Sequence, residues 1–195
     1  MLWGGHNGGL EARRSADGVT VLRGRFPYGV PTVLWDGGRT GKARKEQIAP
    51  GAFSARIAAG DEIHFLAGHD PEKPIASRSA GSLTITDDET ALTFEARISP
   101  DMRAVSWVSD LMGAIDAGLV RGISPGFRLS PLEGAETIRS EAGAILRTVK
   151  AADLIEISAV TRPAYPEAQI EARSWQAGRE APDAGLMRHL NRWRL

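Results

Sequence analysis

Arg121 to Ser130 reads RGISPGFRLS, which sets one serine between two glycines in a pattern that otherwise looks like a β-strand. Alternation along a strand puts Gly122, Ser124 and Gly126 on one face and Ile123, Pro125 and Phe127 on the other. A hydroxyl flanked at both i−2 and i+2 by residues without side chains has open space around it, which could admit a substrate. The same letters also describe a turn or bulge, because glycine and proline are the commonest interruptions of strand patterns. The two readings separate on whether the rest of the chain supplies a base and an orienting group for Ser124.

Upstream of this stretch, SPDMRAVSWVSDLMGAIDAG predicts the clearest helix of the chain. Ser99 is a suitable N-cap and Pro100 suits the first helical position, while Val105, Val108, Leu111, Met112 and Ile115 form an apolar stripe. Gly118 closes the helix, which reads as core packing. Earlier still, VTVLRGRF and PTVLWD read as strands around Pro27-Tyr28-Gly29, followed by a basic loop from Arg39 to Lys45. EQIAPGAFSARIAAG carries a short helical stretch that Gly60 ends, with Phe53 and Ile57 four apart. In DEIHFLAGHDPEKP, Ile63, Phe65 and Ala67 share a strand face, and the break at Gly68 leaves His69 at the strand end. SLTITDD and ALTFEARI form a hairpin with Asp87 to Thr90 as its polar connection. Downstream, PLEGAETIRSEAGA is a polar excursion before LIEISAV. There, alternation puts Leu154, Glu156, Ser158 and Val160 on one face and Ile155, Ile157 and Ala159 on the other. About seven or eight strands around one long helix favour a mainly β barrel or sandwich with helices outside, an α+β chain without the strand–helix–strand rhythm of a doubly wound sheet.

The 195 residues suit one core plus a tail. Residues 1–17 read as a flexible or weakly docked lead-in, 18–168 as the domain, and 169–195 as a C-terminal tail, either a docking helix or a linker. Lys plus Arg and Asp plus Glu number 24 each, so no global field draws the chain to nucleic acid or an anionic membrane. The absence of cysteine excludes disulfides, thiol nucleophiles and thiolate metal sites. No apolar run approaches the ~20 residues of a membrane span, and the first residues lack the apolar core of a signal peptide. A protein that stays soluble where it is made is expected.

A serine hydroxyl is a poor nucleophile at neutral pH, so acyl transfer requires a base and a third group that fixes the imidazole tautomer. Of the four histidines, His69 is the best-placed base: His6 and His189 lie near the chain ends and His64 lies mid-strand. Glu156, a carboxylate in an apolar strand, is the best third member. Each has a plainer alternative. His69-Asp70-Pro71 also reads as a turn in which the aspartate caps a backbone group, and Glu156 as an ion-pair partner of Arg121 or Arg128. A metal hydrolase using Asp61, His64, His69 and Asp70 is a further alternative, weakened by the i+5 spacing of the two histidines across a strand break.

The ordered set EQIAPGAF (46–53), LAGHD (66–70), GISPGF (122–127) and LIEISAVTRPAYPEA (154–168) resembles the tailed-phage prohead proteases. These are capsid-maturation serine peptidases related in fold to herpesvirus assemblin. The likeness runs from about Phe26 to Ala168 and implies a closed β-barrel of about seven strands surrounded by helices. It also implies His69 as base, Ser124 as nucleophile and Glu156 as orienting acid, with no cofactor and no metal. Gly122 and Gly126 would then let the substrate backbone approach. Two departures stand out: Pro125, where the family usually has an aliphatic residue, and Ala76, where it often has glycine. Proline has no N–H to donate to an oxyanion; the resemblance to the assemblin-like fold, whose donors lie on an arginine-bearing segment after the third member, implies Thr161 and Arg162 instead. The implied function is an endopeptidase of an assembling phage, prophage or gene-transfer-agent head in the bacterial cytoplasm. It would cleave scaffold, the scaffold-like arm of the major capsid protein and itself, as a homo-oligomer and without nucleic acid or membrane, and the tail at 169–195 would then hold a docking or self-cleavage segment. The alternative is an inactive capsid-assembly or scaffold-binding module of the same fold.

Overall fold

A computed structural model describes residues 4–5, 8–14, 18–39, 41–141 and 143–161. The strands in chain order are β1 (Gly4–Gly5), β2 (Gly8–Arg14), β3 (Thr20–Pro27), β4 (Thr32–Trp35) and β5 (Ala43–Ile48). After helix α1 (Ser54–Ala59) come β6 (His64–Ala67), β7 (Pro74–Ser77), β8 (Leu83–Asp87) and β9 (Ala91–Ile98). Helices α2 (Pro100–Ala104) and α3 (Ser106–Asp116) lead into β10 (Gly122–Leu129), β11 (Glu136–Glu141), β12 (Ala144–Val149) and β13 (Ala152–Val160). The chain is therefore mainly β with a few helices, as its strand patterns imply.

The strands form three sheets, ordered β1-β2-β3-β9-β8, β10-β13-β6-β7 and β11-β12-β5-β4. The first is antiparallel throughout. Each of the other two has a parallel pair at its centre, β13 with β6 and β12 with β5, flanked by antiparallel partners. The edge strands of the second sheet approach the first, β10 lying beside β2 and β3, and β7 beside β9. No ladder joins those edges among the described residues. The sheets are open, and the closed barrel of about seven strands expected from the sequence is not found.

Period-two patterning fills the space between the sheets. Leu92, Phe94, Ala96 and Ile98 of β9 point inward with Leu22 of β3, and Ile63 and Phe65 meet them from the β6 side. Phe65 stacks 4.8 Å from Phe94, and Phe53 lies 5.6 Å from Phe127. Val108, Leu111 and Met112 of α3 close this core.

The third sheet holds a buried polar group. Arg147 Nη1 reaches Glu46 Oε2 at 3.1 Å, and Arg147 Nε bonds Glu136. Arg147 and Glu46 are each almost wholly enclosed. Their pairing crosses the parallel β12–β5 junction, in which Arg147 lies opposite Glu46.

Three local expectations change. Residues 8–14, inside the expected lead-in, form β2 and pair with β3. Part of the basic loop is strand β5, in which Glu46 and Ile48 are buried while Lys45 and Gln47 beside them are half-buried. The single long helix is two. Ser99 caps α2 by accepting from the Met102 N–H at 3.2 Å, but Val105 is extended (φ −67°, ψ 132°) and α3 restarts after it. Val105 packs against the core at that break.

Candidate active site

β10 and β13 pair antiparallel with Ser124 opposite Ser158 and Gly126 opposite Glu156. Directly opposed residues share a sheet face, so Ser124, Glu156 and Ser158 project to one side. Strict alternation would put Leu154 on that side too, yet Leu154, Ile157 and Ala159 all belong to the core. The register explains this: Gly126 faces Glu156 while the next residue, Phe127, faces Leu154, leaving Ile155 as the extra residue of a bulge. Ile155 is turned outward. Pro125 is tolerated in mid-strand because β10 is an edge of its sheet and pairs with β13 on one side.

His69 arrives from the other side of β13. β6 runs parallel to it, with His64 opposite Glu156 and Ala67 opposite Ala159, and ends in a tight turn. Gly68 and His69 both have left-handed backbones (φ 64° and 63°), and Asp70 N–H donates to Ala67 O at 3.2 Å, the pattern of a type I′ turn. His69 is the single non-glycine residue with positive φ among the described residues. That conformation folds the imidazole back over β13, where Nδ1 lies 2.7 Å from Glu156 Oε1. An ionised carboxylate only accepts hydrogen bonds, so Nδ1 carries the proton and Nε2 is left as the basic nitrogen. The second carboxylate oxygen, Oε2, accepts from Ser158 Oγ at 2.6 Å, and the same hydroxyl oxygen accepts the His69 backbone N–H at 3.0 Å. Glu156 is nearly buried, whereas the His69 side chain is 38% exposed.

Beyond His69 lies a cavity of about 660 Å³. Ser124 and His69 line it together with Gly68, Lys73, Thr161 and an apolar wall that includes Leu111, Ala114 and Val120. Trp107, also in the lining, ties α3 to the start of β7 by donating from Nε1 to Pro74 O at 3.1 Å. Lys73 is paired with Asp70 at 2.9 Å. That hydrogen bond lowers the Asp70 carboxyl below the usual carboxylate range and raises the lysine above its own. Asp70 also accepts from Glu72 N–H at 3.0 Å, so the turn-capping reading of this aspartate and the placement of His69 are compatible.

The structure thus brings His69 and Glu156 into contact and sets Ser124 on the same cavity. No hydrogen bond joins Ser124 to His69 among the described residues. Gly126 is not open to a substrate on its strand face: a Cβ there would lie 2.6 Å from Glu156 Cδ and 2.8 Å from Cγ, closer still to Oε1. Its missing side chain makes room for the acid. Gly122 is buried opposite Val160. Thr161 lines the cavity, while Arg162 lies outside the described residues. Asp61, His64, His69 and Asp70 form no metal site, since no three such side chains gather suitably among the described residues. Asp61 pairs instead with Arg56 at 3.7 Å.

Sequence reasoning passed over Ser158 and the α3 wall. The alternation of LIEISAV had already put Ser158 on the face of Glu156, which was the available signal. The cavity role of Leu111 and Ala114 in α3, and of Val120 beyond it, had none, because an apolar residue looks the same in sequence whether it packs or lines a cleft.

No curated protein matches the chain, and no solved structure does. A family model, that of the caudovirus prohead serine protease, matches over residues 26–180. The match takes in LAGHD and GISPGF, which carry His69 and Ser124 to this cavity, and LIEIS, which carries the Glu156 that bonds His69. The chain belongs to the caudovirus prohead serine protease family.

Proposed function

We propose that the chain is the maturation endopeptidase of an assembling tailed-phage, prophage or gene-transfer-agent head, working in the cytoplasm of the bacterial host. Its substrates are scaffold, the scaffold-like arm of the major capsid protein, and the chain itself, and it acts as a homo-oligomer. The observation that carries this reading is the 2.7 Å bond between His69 Nδ1 and Glu156 Oε1 beside a cavity that Ser124 also lines. In the reaction, Nε2 of His69 takes the proton of Ser124 as its oxygen attacks the peptide carbonyl. The same nitrogen then protonates the leaving amine, and a water repeats the sequence to release the acyl group. Glu156 holds the tautomer and balances the imidazolium charge. Pro125 offers no N–H, so the oxyanion donors belong to the segment around Thr161 and Arg162. The closeness of β10 to β2 and of β7 to β9 supports a herpesvirus-protease-like barrel wrap for this fold.

A second reading is a capsid-assembly module of the same fold without activity. Pro125 and the missing Ser124–His69 hydrogen bond favour it, although catalytic contacts often tighten only with substrate bound. Incubating the full chain and Ser124→Ala with capsid protein and scaffold, and reading chain lengths by intact mass spectrometry, separates the two. Cleavage by wild type alone is expected. Identical uncleaved mixtures would overturn the protease reading.

A further inference from the structure

The geometry points to Ser158 as the positioning residue of this site: one hydroxyl that holds both the backbone of the base and the free oxygen of the acid. Its side chain is wholly enclosed, at 0% exposure, so water does not satisfy it. Its two hydrogen bonds use one donor and one acceptor without conflict. The proton goes to Glu156 Oε2 at 2.6 Å, and a lone pair receives the His69 N–H at 3.0 Å. Each bond restrains a different freedom. The first stops rotation of the carboxylate, whose other oxygen is committed to His69 Nδ1 at 2.7 Å. The second pins the amide of a residue held at φ +63°, a region that side chains other than glycine rarely occupy. Ser158 also sits directly opposite Ser124 across the β10–β13 ladder, so the rung that carries the nucleophile carries the clamp on the other two members.

This inference rests on the reading of Ser124, His69 and Glu156 as catalytic, and its test separates the two. Ser158→Ala removes the hydroxyl and leaves the rest of the side chain. Measured on a capsid-derived peptide well below both melting temperatures, kcat is expected to fall about 10- to 100-fold, the range for losing an outer hydrogen-bond partner of a metal-bound imidazole. KM should change little, because Ser158 does not touch the cavity. In the Ser124→Ala background, which excludes self-cleavage, the downfield proton resonance of His69 Nδ1–H should move upfield and broaden when Ser158→Ala is added. If Ser158→Ala fails to fold, Ser158→Cys takes its place, since a thiol keeps the shape but is a weak donor and acceptor; the same two changes are expected. Wild-type kcat together with an unmoved Nδ1–H signal, whatever the melting temperature, would overturn the positioning role. If wild type and Ser124→Ala cleave equally, the protease reading fails instead, and the Nδ1–H signal still decides whether Ser158 orients His69.

Discussion

Gly126→Ala tests how the acid is seated. The added Cβ would stand 2.6 Å from Glu156 Cδ and 2.8 Å from Cγ, separations at which one partner has to leave. The backbone at Gly126 is not left-handed, so the change is purely steric. Glu156 would give way, breaking its bonds to His69 (2.7 Å) and Ser158 (2.6 Å). Hydrogen bonds to charged groups contribute about 1.5–3 kcal/mol each, and replacing glycine returns at most about 1 kcal/mol through the unfolded chain. The net loss is therefore at least about 2 kcal/mol, or about 4–8 °C in melting temperature for a chain of this size. Activity should fall further, by about 10⁴-fold, as when a triad acid can no longer orient its imidazole. Stability is measured by thermal denaturation in the Ser124→Ala background and activity by peptide cleavage. A double-mutant cycle with Glu156→Ala completes the test, because the clash disappears with the carboxylate and the two stability losses should not add. Wild-type cleavage and melting in Gly126→Ala would refute the reasoning, as would a penalty that persists when Glu156 is absent.

Ala114→Phe puts a ring into the cavity that Ser124 and His69 share, so kcat/KM should fall about tenfold or more through KM while folding is retained; an unchanged KM would mean that substrate does not use this cleft. Arg147→Met removes the guanidinium that joins Glu46 at 3.1 Å to Glu136 and should cost about 3–5 kcal/mol in denaturant titration, as for breaking a buried ion pair, with kcat preserved in the protein that remains folded. Asp87 gives a pH dependence. Burial raises its carboxyl above the usual range despite the Tyr28 hydroxyl that bonds it. The folded state therefore holds its proton longer than the unfolded state, and the stability this contributes is present in acid and lost as pH rises through the raised value. Asp87→Asn keeps an acceptor for Tyr28 without the charge, so its melting temperature should exceed that of wild type at neutral pH and converge with it in acid. An equal difference at both pH values would rule out this ionisation as the cause.

Much of the site could be read from residue order because its members sit where local rules are strong. Gly68 marks a strand end, and His69 follows it in a turn whose two residues are both left-handed. LIEIS shows a carboxylate in an apolar run, which asks for a partner. Other features depend on pairing and could not be read. The bulge at Ile155 is a property of the β10–β13 register, and it decides that Gly126 makes room for Glu156 rather than for substrate. β5 stayed hidden because its alternation is written in Lys45, Glu46 and Gln47, and only the distant Arg147 turns Glu46 into a core residue. The division of α2 from α3 at Val105 was masked by an apolar stripe that runs through the break.

The place of β13 has a consequence for when the enzyme can exist during synthesis. It is the last described strand, yet it lies in the middle of its sheet, between β10 with Ser124 and β6, whose end carries His69. Neither of those outer strands pairs with the other. No ladder joins β10 to β6 until residues 152–160 have left the ribosome, and a parallel pairing across so long a stretch of chain forms slowly. On the proposed reading, a truncated product that stops before β13 keeps Ser124 and His69 but lacks Glu156 and the strand that pairs with both β10 and β6, so it is expected to cleave nothing.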